Sequence, residues 1–288
     1  MNTADVARRV GSRLLGADIH AVEALSGGCI HDVYRAQAAD TSCVLKVAPI
    51  LEQAMLEGEA AGLASISGTN TIRTPAVLGL ECDGHHVALG MEWLEPGAPD
   101  TADWHRFGEM LASLHAAGGE DRYGFMIDNH IGRTAQCNTW SADWVEFTAR
   151  CRLLPQLTMA RDSGQVSRPD AERIDRVIQR LDRFIPRRPD ISLLHGDLWS
   201  GNVLPLRDGS VAVIDPSCSY GDAWCDLAMM RLFGGFPASC EAAWRSNRSE
   251  DDTEGRLAVY QLYHQLNHLN LFGAGYLGGV LATVNGLE

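Results

Sequence analysis

The sequence has no excess of basic residues and no long apolar run. Its 24 Lys and Arg residues are outnumbered by 37 Asp and Glu residues, and the formal net charge is −13. Such a charge disfavours nucleic-acid backbones and anionic membrane surfaces as partners. No apolar run approaches the ~20 residues of a membrane span, and the first residues lack the continuous apolar core of a secretory signal. We therefore expect a cytoplasmic protein that binds neither nucleic acid nor membrane.

The eight cysteines do not form the pattern of a metal site or of a disulfide framework. No CxxC pair occurs, and the cysteines are widely scattered along the chain. Reduced and mostly buried thiols are therefore expected.

The 288 residues, 45% of them apolar, are enough to bury a large core and to build two lobes. From about Ala21 to Glu92 the pattern predicts short β-strands and one helix, LEQAMLEGEAAGLASI. After the loop EPGAPD the pattern becomes mainly helical, with DWHRFGEMLASLH and SADWVEFTARCRLLPQL as the clearest amphipathic stretches. We therefore predict an α+β fold with two lobes. Residues 1–94 form a small antiparallel sheet with one helix, and residues 95–288 form a larger, mainly helical lobe.

Two short apolar runs in the second lobe each end in a polar motif, ISLL in HGDLWSGN and VAVI in DPS. Asp197 of HGD can accept the proton of an attacking hydroxyl, and Asn202 follows at the Asp-to-Asn spacing of a kinase catalytic loop. Asn202 and Asp215 offer the hard oxygen ligands that Mg²⁺ prefers. Phosphoryl transfer depends mainly on holding nucleotide, metal and acceptor in position, so these residue types fit that chemistry.

A second set of candidates lies in the first lobe. Lys46 is in the apolar strand CVLKVA, where a buried ammonium is costly unless it meets a phosphate or a carboxylate. Glu59, in the predicted helix, is the natural carboxylate, and the two match the strand lysine and helix glutamate that protein kinases use at the α- and β-phosphates. Gly27 and Gly28 supply a tight turn whose backbone amides can lie over the phosphates.

Each of these residues also has a purely structural interpretation. Lys46 can be a surface lysine whose stem lies along apolar side chains, and Glu59 can be a solvated position on a helix. Asp215 can be a turn residue before Pro216. The HGDxxxxN spacing is more specific than any of these. The order Lys, Glu, HGD, Asn, Asp along one chain favours the catalytic interpretation.

The chain resembles the fructosamine kinases, also called ketosamine kinases, and the resemblance covers nearly its whole length. The stretches that carry it are GGCIHDVYR, GEAAGL, DNHIGRTAQCN with Trp140 and Trp144 after it, HGDLWSGN, IDPSCSYGD, DLAM, LFGGF and YQLYHQLNHLNLFG. The resemblance implies a protein-kinase-like fold and an ATP- and Mg²⁺-dependent kinase. Its acceptor would be a sugar hydroxyl of a ketosamine, either a small molecule or a glycated lysine of a protein.

The resemblance also implies roles for individual residues. ATP would bind beneath Gly27 and Gly28, with Asp197 as catalytic base. Asp215 would stand where kinases have their magnesium-binding aspartate, although Pro216 replaces the phenylalanine of their motif. The hinge that holds adenine by backbone hydrogen bonds would consist of Met91, Glu92, Trp93 and Leu94.

Three residues are candidates for contact with the acceptor. Trp199 and His268 are similar to the family residues that face the sugar. His268 can equally be a core residue, and with His264 it forms an i, i+4 pair that can indicate zinc, although no third ligand is evident. Trp224 departs from the family pattern, because Ala223 and Trp224 stand where a basic or polar residue and a glutamate are common. Trp224 can line the acceptor pocket.

Cys29 lies inside the predicted nucleotide-covering turn, where many relatives have serine. The family resemblance suggests redox-sensitive dimers in some members, so the chain is either a monomer or a redox-sensitive homodimer. We hypothesise that oxidation of Cys29 inhibits the enzyme reversibly; an inert turn thiol is the alternative.

Two other functions fit parts of the same pattern. A kinase of the aminoglycoside, choline or homoserine type would need the same catalytic groups. A pseudokinase would bind nucleotide without turnover, but the presence of Lys46, Asp197, Asn202 and Asp215 argues against it. The identity of the ketosamine is left open by the sequence.

Overall fold

A computed structural model describes residues 2–25, 30–98, 102–246 and 254–288. The chain forms two compact units: Met1–Asp103 with Gly201–Pro216, and Trp104–Ser200 with Ser217–Glu288. None of the described helices is both long enough and apolar enough to cross a membrane. The boundary predicted at residue 94 stays a prediction.

The first unit is built on a five-stranded antiparallel sheet with the strand order β1-β2-β3-β5-β4. Its elements are α1 (Thr3–Leu15), β1 (Ala21–Ala24), β2 (Asp32–Gln37), β3 (Ser42–Pro49), α2 (Gln53–Gly68), β4 (Val77–Cys82), β5 (His86–Glu92), β9 (Val203–Pro205) and β10 (Val211–Val213). The short strands β9 and β10 form a separate antiparallel hairpin. The predicted antiparallel sheet and the predicted helix over Leu51–Ile66 are therefore present.

Three elements of this unit were not predicted from the sequence: α1, β4 and the short strand β9. Helix α1 begins at the N-cap Asn2, whose side chain accepts the N–H of Asp5 at 2.8 Å, and it packs through Val6 and Val10 on the sheet. Strand β4 is an edge strand with Gly79 at a register shift, and most of its side chains are exposed or half-buried. Such a strand lacks the continuous apolar run that marked β3 and β5.

The second unit is mainly helical, as predicted. Its elements are α3 (Trp104–Ala116), β6 (Asn129–Ile131), β7 (Thr134–Gln136), α4 (Trp144–Thr148), α5 (Leu154–Asp162), α6 (Arg168–Ile178), β8 (Ser192–Leu194), β11 (Ser219–Gly221), α7 (Trp224–Phe233), α8 (Ala238–Arg245), α9 (Glu254–Phe272) and α10 (Leu277–Leu287). A π-helical turn over Ala149–Leu153 joins α4 to α5. Strand β8 pairs with β11, so the segment that follows β8 lies beside the segment that precedes β11.

Candidate active site

The first unit brings Lys46, Glu59 and Asp215 together. Lys46 lies in β3, between β2 and β5, and its side chain is buried. Its Nζ donates to Glu59 Oε1 on α2 at 2.7 Å and to Asp215 Oδ1 at 2.5 Å. One buried ammonium is therefore held by two carboxylates that are 13 and 169 positions away in the sequence.

The ammonium of Lys46 stays charged because the carboxylates around it offset its burial. Burial alone would lower the pKa of Lys46, but the carboxylates of Asp215 and Glu59 outweigh burial and raise it. Burial raises the pKa of Glu59, and the Lys46 ammonium opposes that shift. The ammonium is thus present at neutral pH in a position where little water can screen it.

The β9–β10 hairpin places Asn202 and Asp215 at the same end of its two strands. Val203 pairs with Val213, so Asn202 and Asp215 flank its open end. The N–H of Ile214 donates to the carbonyl of Asn202 at 3.0 Å. Asp215 has a φ of +57°, which is uncommon for a residue other than glycine, and its side chain is 40% exposed. A buried amide and a partly exposed carboxylate at one hairpin end suit a hard cation such as Mg²⁺.

The predicted hinge residues lie at the end of β5: Met91 and Glu92 are its last two residues, and Trp93 and Leu94 follow it. Strand β5 ends at Glu92, whose carboxylate accepts from the guanidinium of Arg73. The guanidinium carbon of Arg35 lies over the ring of Trp93, 4.0 Å from the ring centroid. Leu94 is buried in a cluster with Leu206 and other side chains of the hairpin. The adenine-binding role of this segment stays a prediction, and Gly27, Gly28 and Cys29 lie outside the described residues.

In the second unit, the backbone of the HGD motif is fixed by a close approach to the chain after Pro216. Gly196 has a φ of +82°, and a Cβ at this position would lie 2.1 Å from the carbonyl oxygen of Ser217. The N–H of Ser217 donates to the carbonyl of His195 at 2.8 Å. Only glycine fits at position 196, and its conformation sets the direction of the chain into Asp197.

Asp226, on α7, accepts hydrogen bonds from two backbone N–H groups of this loop. Its Oδ2 accepts the N–H of His195 and its Oδ1 accepts the N–H of Gly196, both at 2.8 Å. The Nε2 of His115 lies 3.0 Å from Oδ2. Burial alone would raise the pKa of Asp226, but the hydrogen bonds from His115 and from the N–H of Gly196 keep the pKa below its ordinary value. The carboxylate therefore stays ionised although it is buried.

His115 completes a chain of hydrogen bonds behind the loop. The Nε1–H of Trp244 can only donate, and it lies 2.8 Å from Nδ1 of His115. Nδ1 is therefore the acceptor, and Nε2 carries the proton that is donated to Asp226. The role of this network was not predicted: Asp226 was noted only as part of the DLAM stretch. Nothing in their spacing connects residues 115, 226 and 244.

The three predicted acceptor residues all lie in the second unit, in different surroundings. Trp199 is half-buried two residues after Asp197, and its N–H donates to the carbonyl of Asp197 at 3.1 Å. His268 is half-buried on α9. Trp224 is buried at the start of α7, edge-on to Trp244, with a guanidinium 4.5 Å above its ring. It also lines a cavity of about 930 Å³. Contact of these residues with an acceptor stays a prediction.

The sheet with its lysine–glutamate pair and the helical unit with its HGD loop define a kinase-like protein. The same fold occurs in an aminoglycoside phosphotransferase, whose structure matches with a TM-score of 0.64 and 17% identity over 96% of this chain and 97% of that one. At this identity the likeness concerns the fold alone.

The chain belongs to the fructosamine kinase family, whose pattern it matches over residues 4–287. It is 40% identical to a candidate ketoamine kinase of Synechocystis sp. over 88% of this chain and 85% of that protein. It is 34% identical to a chloroplastic protein-ribulosamine 3-kinase of Oryza sativa subsp. indica, over 93% and 78% of the two chains. The crystal structure of a candidate fructosamine-3-kinase from Thermobifida fusca matches with a TM-score of 0.88 and 32% identity, over 99% of both chains.

Proposed function

We propose that this protein is a ketosamine kinase, which transfers a phosphoryl group from ATP to a sugar hydroxyl of a ketosamine. The acceptor is a small molecule or a glycated lysine of a protein. The observation that carries the proposal is the meeting of Lys46 with Glu59 and Asp215 in a chain of the fructosamine kinase family. The relatives named ketoamine kinase and ribulosamine 3-kinase support the choice of acceptor class.

Lys46 is the proposed contact for the phosphates of ATP. A buried ammonium needs an anionic partner, and Glu59 holds the side chain in one position by a 2.7 Å hydrogen bond. Because Asp215 occupies another of the three donors of Lys46, a phosphate oxygen can compete with that carboxylate for the ammonium. Glu59 thus positions Lys46, and Asp215 becomes available to a cation.

Asn202 and Asp215 are the proposed ligands of Mg²⁺. When bound, Mg²⁺ neutralises charge on the phosphate oxygens. The fit of this site comes from the amide and carboxylate oxygens at one hairpin end and from the 40% exposure of the Asp215 side chain. The pairing of β9 with β10 and the hydrogen bond from Ile214 to Asn202 hold the two backbone segments side by side.

Asp197 is the proposed catalytic base, which orients the acceptor hydroxyl and takes its proton. Asp226 does not touch the reacting atoms; it positions the loop through the N–H groups of His195 and Gly196. The geometry of the base therefore depends on a carboxylate 29 residues further along the chain. Small displacements of a catalytic group can cost about 100-fold in rate.

The test is a screen of ATP consumption against fructosamines, ribulosamines and aminoglycosides, with mass spectrometry to locate the added phosphate. We expect phosphate on a sugar hydroxyl of a fructosamine or ribulosamine. Turnover of aminoglycosides with none of the ketosamines would refute the proposal. Asp197→Asn is expected to remove nearly all turnover and to leave ATP affinity largely unchanged. Unchanged turnover in that variant would exclude Asp197 as the base.

A further inference from the structure

Four rings at the ends of three elements of the second unit form a patch around His268, and three of them have no role in the site described above. The ring of His268 lies 4.7 Å from Phe233, 5.4 Å from Phe272 and 5.3 Å from Tyr276, measured between ring centroids. We call these four residues the aromatic patch. Phe233 ends α7, His268 and Phe272 lie on α9, and Tyr276 follows α9 in a short 3-10 turn.

The patch is open to solvent, unlike most aromatic rings of the molecule. Phe233 is 42% exposed, Phe272 is 61% exposed and Tyr276 is 36% exposed. Across the described ranges, these three are the exposed Phe, Tyr and Trp side chains, and all of them lie against the same histidine. Clustered exposed apolar surface commonly marks a binding site, whereas single exposed apolar residues do not.

His268 gives the patch a hydrogen-bond acceptor. Its Nδ1 lies 2.8 Å from the carbonyl oxygen of His264, and a carbonyl can only accept, so Nδ1 carries the proton. Burial lowers the pKa of His268 below its ordinary 6.5, so the ring is neutral at pH 7. In a neutral imidazole with the proton on Nδ1, Nε2 has a free lone pair. The centre of the patch therefore accepts a hydrogen bond while the rings around it are apolar.

The chain that follows Phe233 of the patch runs beside the end of the HGD loop. The two residues after Phe233 are glycines, and a Cβ on Gly235 would lie 2.7 Å from the side chain of Ser200. Ser200 is three residues beyond Asp197. The amide of Gln261 on α9 donates to the carbonyl of Ala228 on α7 at 3.2 Å, which fixes the two helices that carry the patch.

We propose that the aromatic patch binds the amine end of the ketosamine acceptor. A ketosamine has a secondary ammonium one carbon away from its sugar carbonyl, and in the lysine adduct an aliphatic chain follows. Ring faces attract such a cation and also cover the aliphatic chain, and the Nε2 of His268 accepts an N–H of the ammonium. Phe233, Phe272 and Tyr276 are thus specificity residues for the part of the acceptor that does not react. This inference rests on the proposed function.

The experiment compares two acceptors and three variants. The acceptors are Nα-acetyl-Nε-fructosyl-lysine, which has the ammonium and the chain, and 1-deoxyfructose, which has neither. In Phe272→Ala we expect KM for the lysine adduct to rise about fivefold to thirtyfold, with kcat nearly unchanged, because the contact is made in the ground state and in the transition state alike. KM for 1-deoxyfructose and for ATP should not change. Tyr276→Ala should behave in the same way, and it provides a second test if Phe272→Ala does not fold.

The matched control is Met126→Ala, which removes an exposed large apolar side chain outside the patch. Equal KM values for the lysine adduct in Met126→Ala, Phe272→Ala and wild type would overturn the inference while leaving the proposed function intact. Calorimetric titration of the lysine adduct without ATP tests binding at the aromatic patch separately from the proposed kinase function. Wild-type binding that Phe272→Ala weakens, without any turnover, would support the patch and refute the proposed function.

Discussion

The carboxylate of Asp226 gives the most direct test of how the HGD loop is held. In Asp226→Asn, one oxygen becomes an NH₂ group that cannot accept a hydrogen bond. The best orientation keeps the remaining oxygen towards His195 and His115 and turns the NH₂ towards the N–H of Gly196. One charge-assisted bond is lost, and two donors then face each other in a buried position.

The magnitude follows from those lost contacts. A hydrogen bond to a charged group contributes about 1.5–3 kcal/mol, and a buried unpaired donor costs about 1–3 kcal/mol. These two losses overlap and are not fully additive, so we expect Asp226→Asn to lower the free energy of unfolding by about 2–4 kcal/mol. For a chain of this size the thermal midpoint should fall by roughly 5–15 °C. Because the loop also carries Asp197, kcat should fall at least about tenfold, whereas KM for ATP should change little.

The assay is a pair of guanidinium unfolding curves with steady-state kinetics on the same preparations. Asp121→Asn is the control, because Asp121 is an exposed carboxylate of the same unit. Its unfolding free energy should stay within about 0.5 kcal/mol of wild type. A loss below about 0.5 kcal/mol in Asp226→Asn, with wild-type kcat, would show that the loop does not depend on this carboxylate.

Three further variants test other parts of the structure. Lys46→Met should reduce kcat/KM by about 100-fold or more and destabilise the fold by about 3–5 kcal/mol, because it leaves Glu59 as a buried carboxylate without its ammonium. Steady-state kinetics measure the first effect and urea unfolding measures the second. Wild-type kinetics in this variant would exclude the proposed phosphate contact. Gly196→Ala should lower the free energy of unfolding by about 2–5 kcal/mol. Gly164→Ala is the control, because Gly164 also has a positive φ but has open space around it, and it should cost only about 1–2 kcal/mol. Equal losses in urea unfolding would show that the new methyl group at position 196 does not collide with its surroundings. Burial lowers the pKa of His264 to about 3. Below pH 6.5 the unfolded chain therefore binds a proton that the folded chain does not. The free energy of unfolding then falls by about 1.4 kcal/mol for each unit by which the pH is lowered. In His264→Gln the fall between pH 6.5 and pH 5 should be shallower by that amount, and an unchanged slope in urea unfolding would mean that His264 titrates normally in the fold.

Much of the fold could be predicted because its signals are local. The continuous apolar run around Lys46 predicted β3, and the spacing of Leu, Ala and Glu residues predicted α2. Helix α1 was missed although its signals are local: it is amphipathic, it begins at the N-cap Asn2 and it ends at Gly16 with a φ of +61°. Strand β4 was missed because it is an exposed edge strand with a weak apolar pattern.

The residue types of the candidate site could be predicted, but the residues that position the HGD loop could not. Lys46 was predicted to need a carboxylate, and Glu59 lies 2.7 Å from its Nζ. Asp226 and His115 could not be assigned their positions behind the loop, because His115 is 111 residues from Asp226 and lies on another helix. No periodicity relates such residues, and only the packing of α3 and α7 with the loop after β8 brings them together.

The sequence by itself determined the order of the candidate catalytic residues, the class of chemistry and the family. These depend on short motifs, in which the spacing along the chain fixes which groups can act together. The tertiary structure alone decided that one ammonium contacts two carboxylates, that Asp226 fixes the HGD backbone, and that His268 is ringed by three exposed aromatic side chains. The reason is physical: contacts between distant segments depend on how the whole core packs, and a local pattern of apolar and polar residues specifies which face is buried but not what it meets.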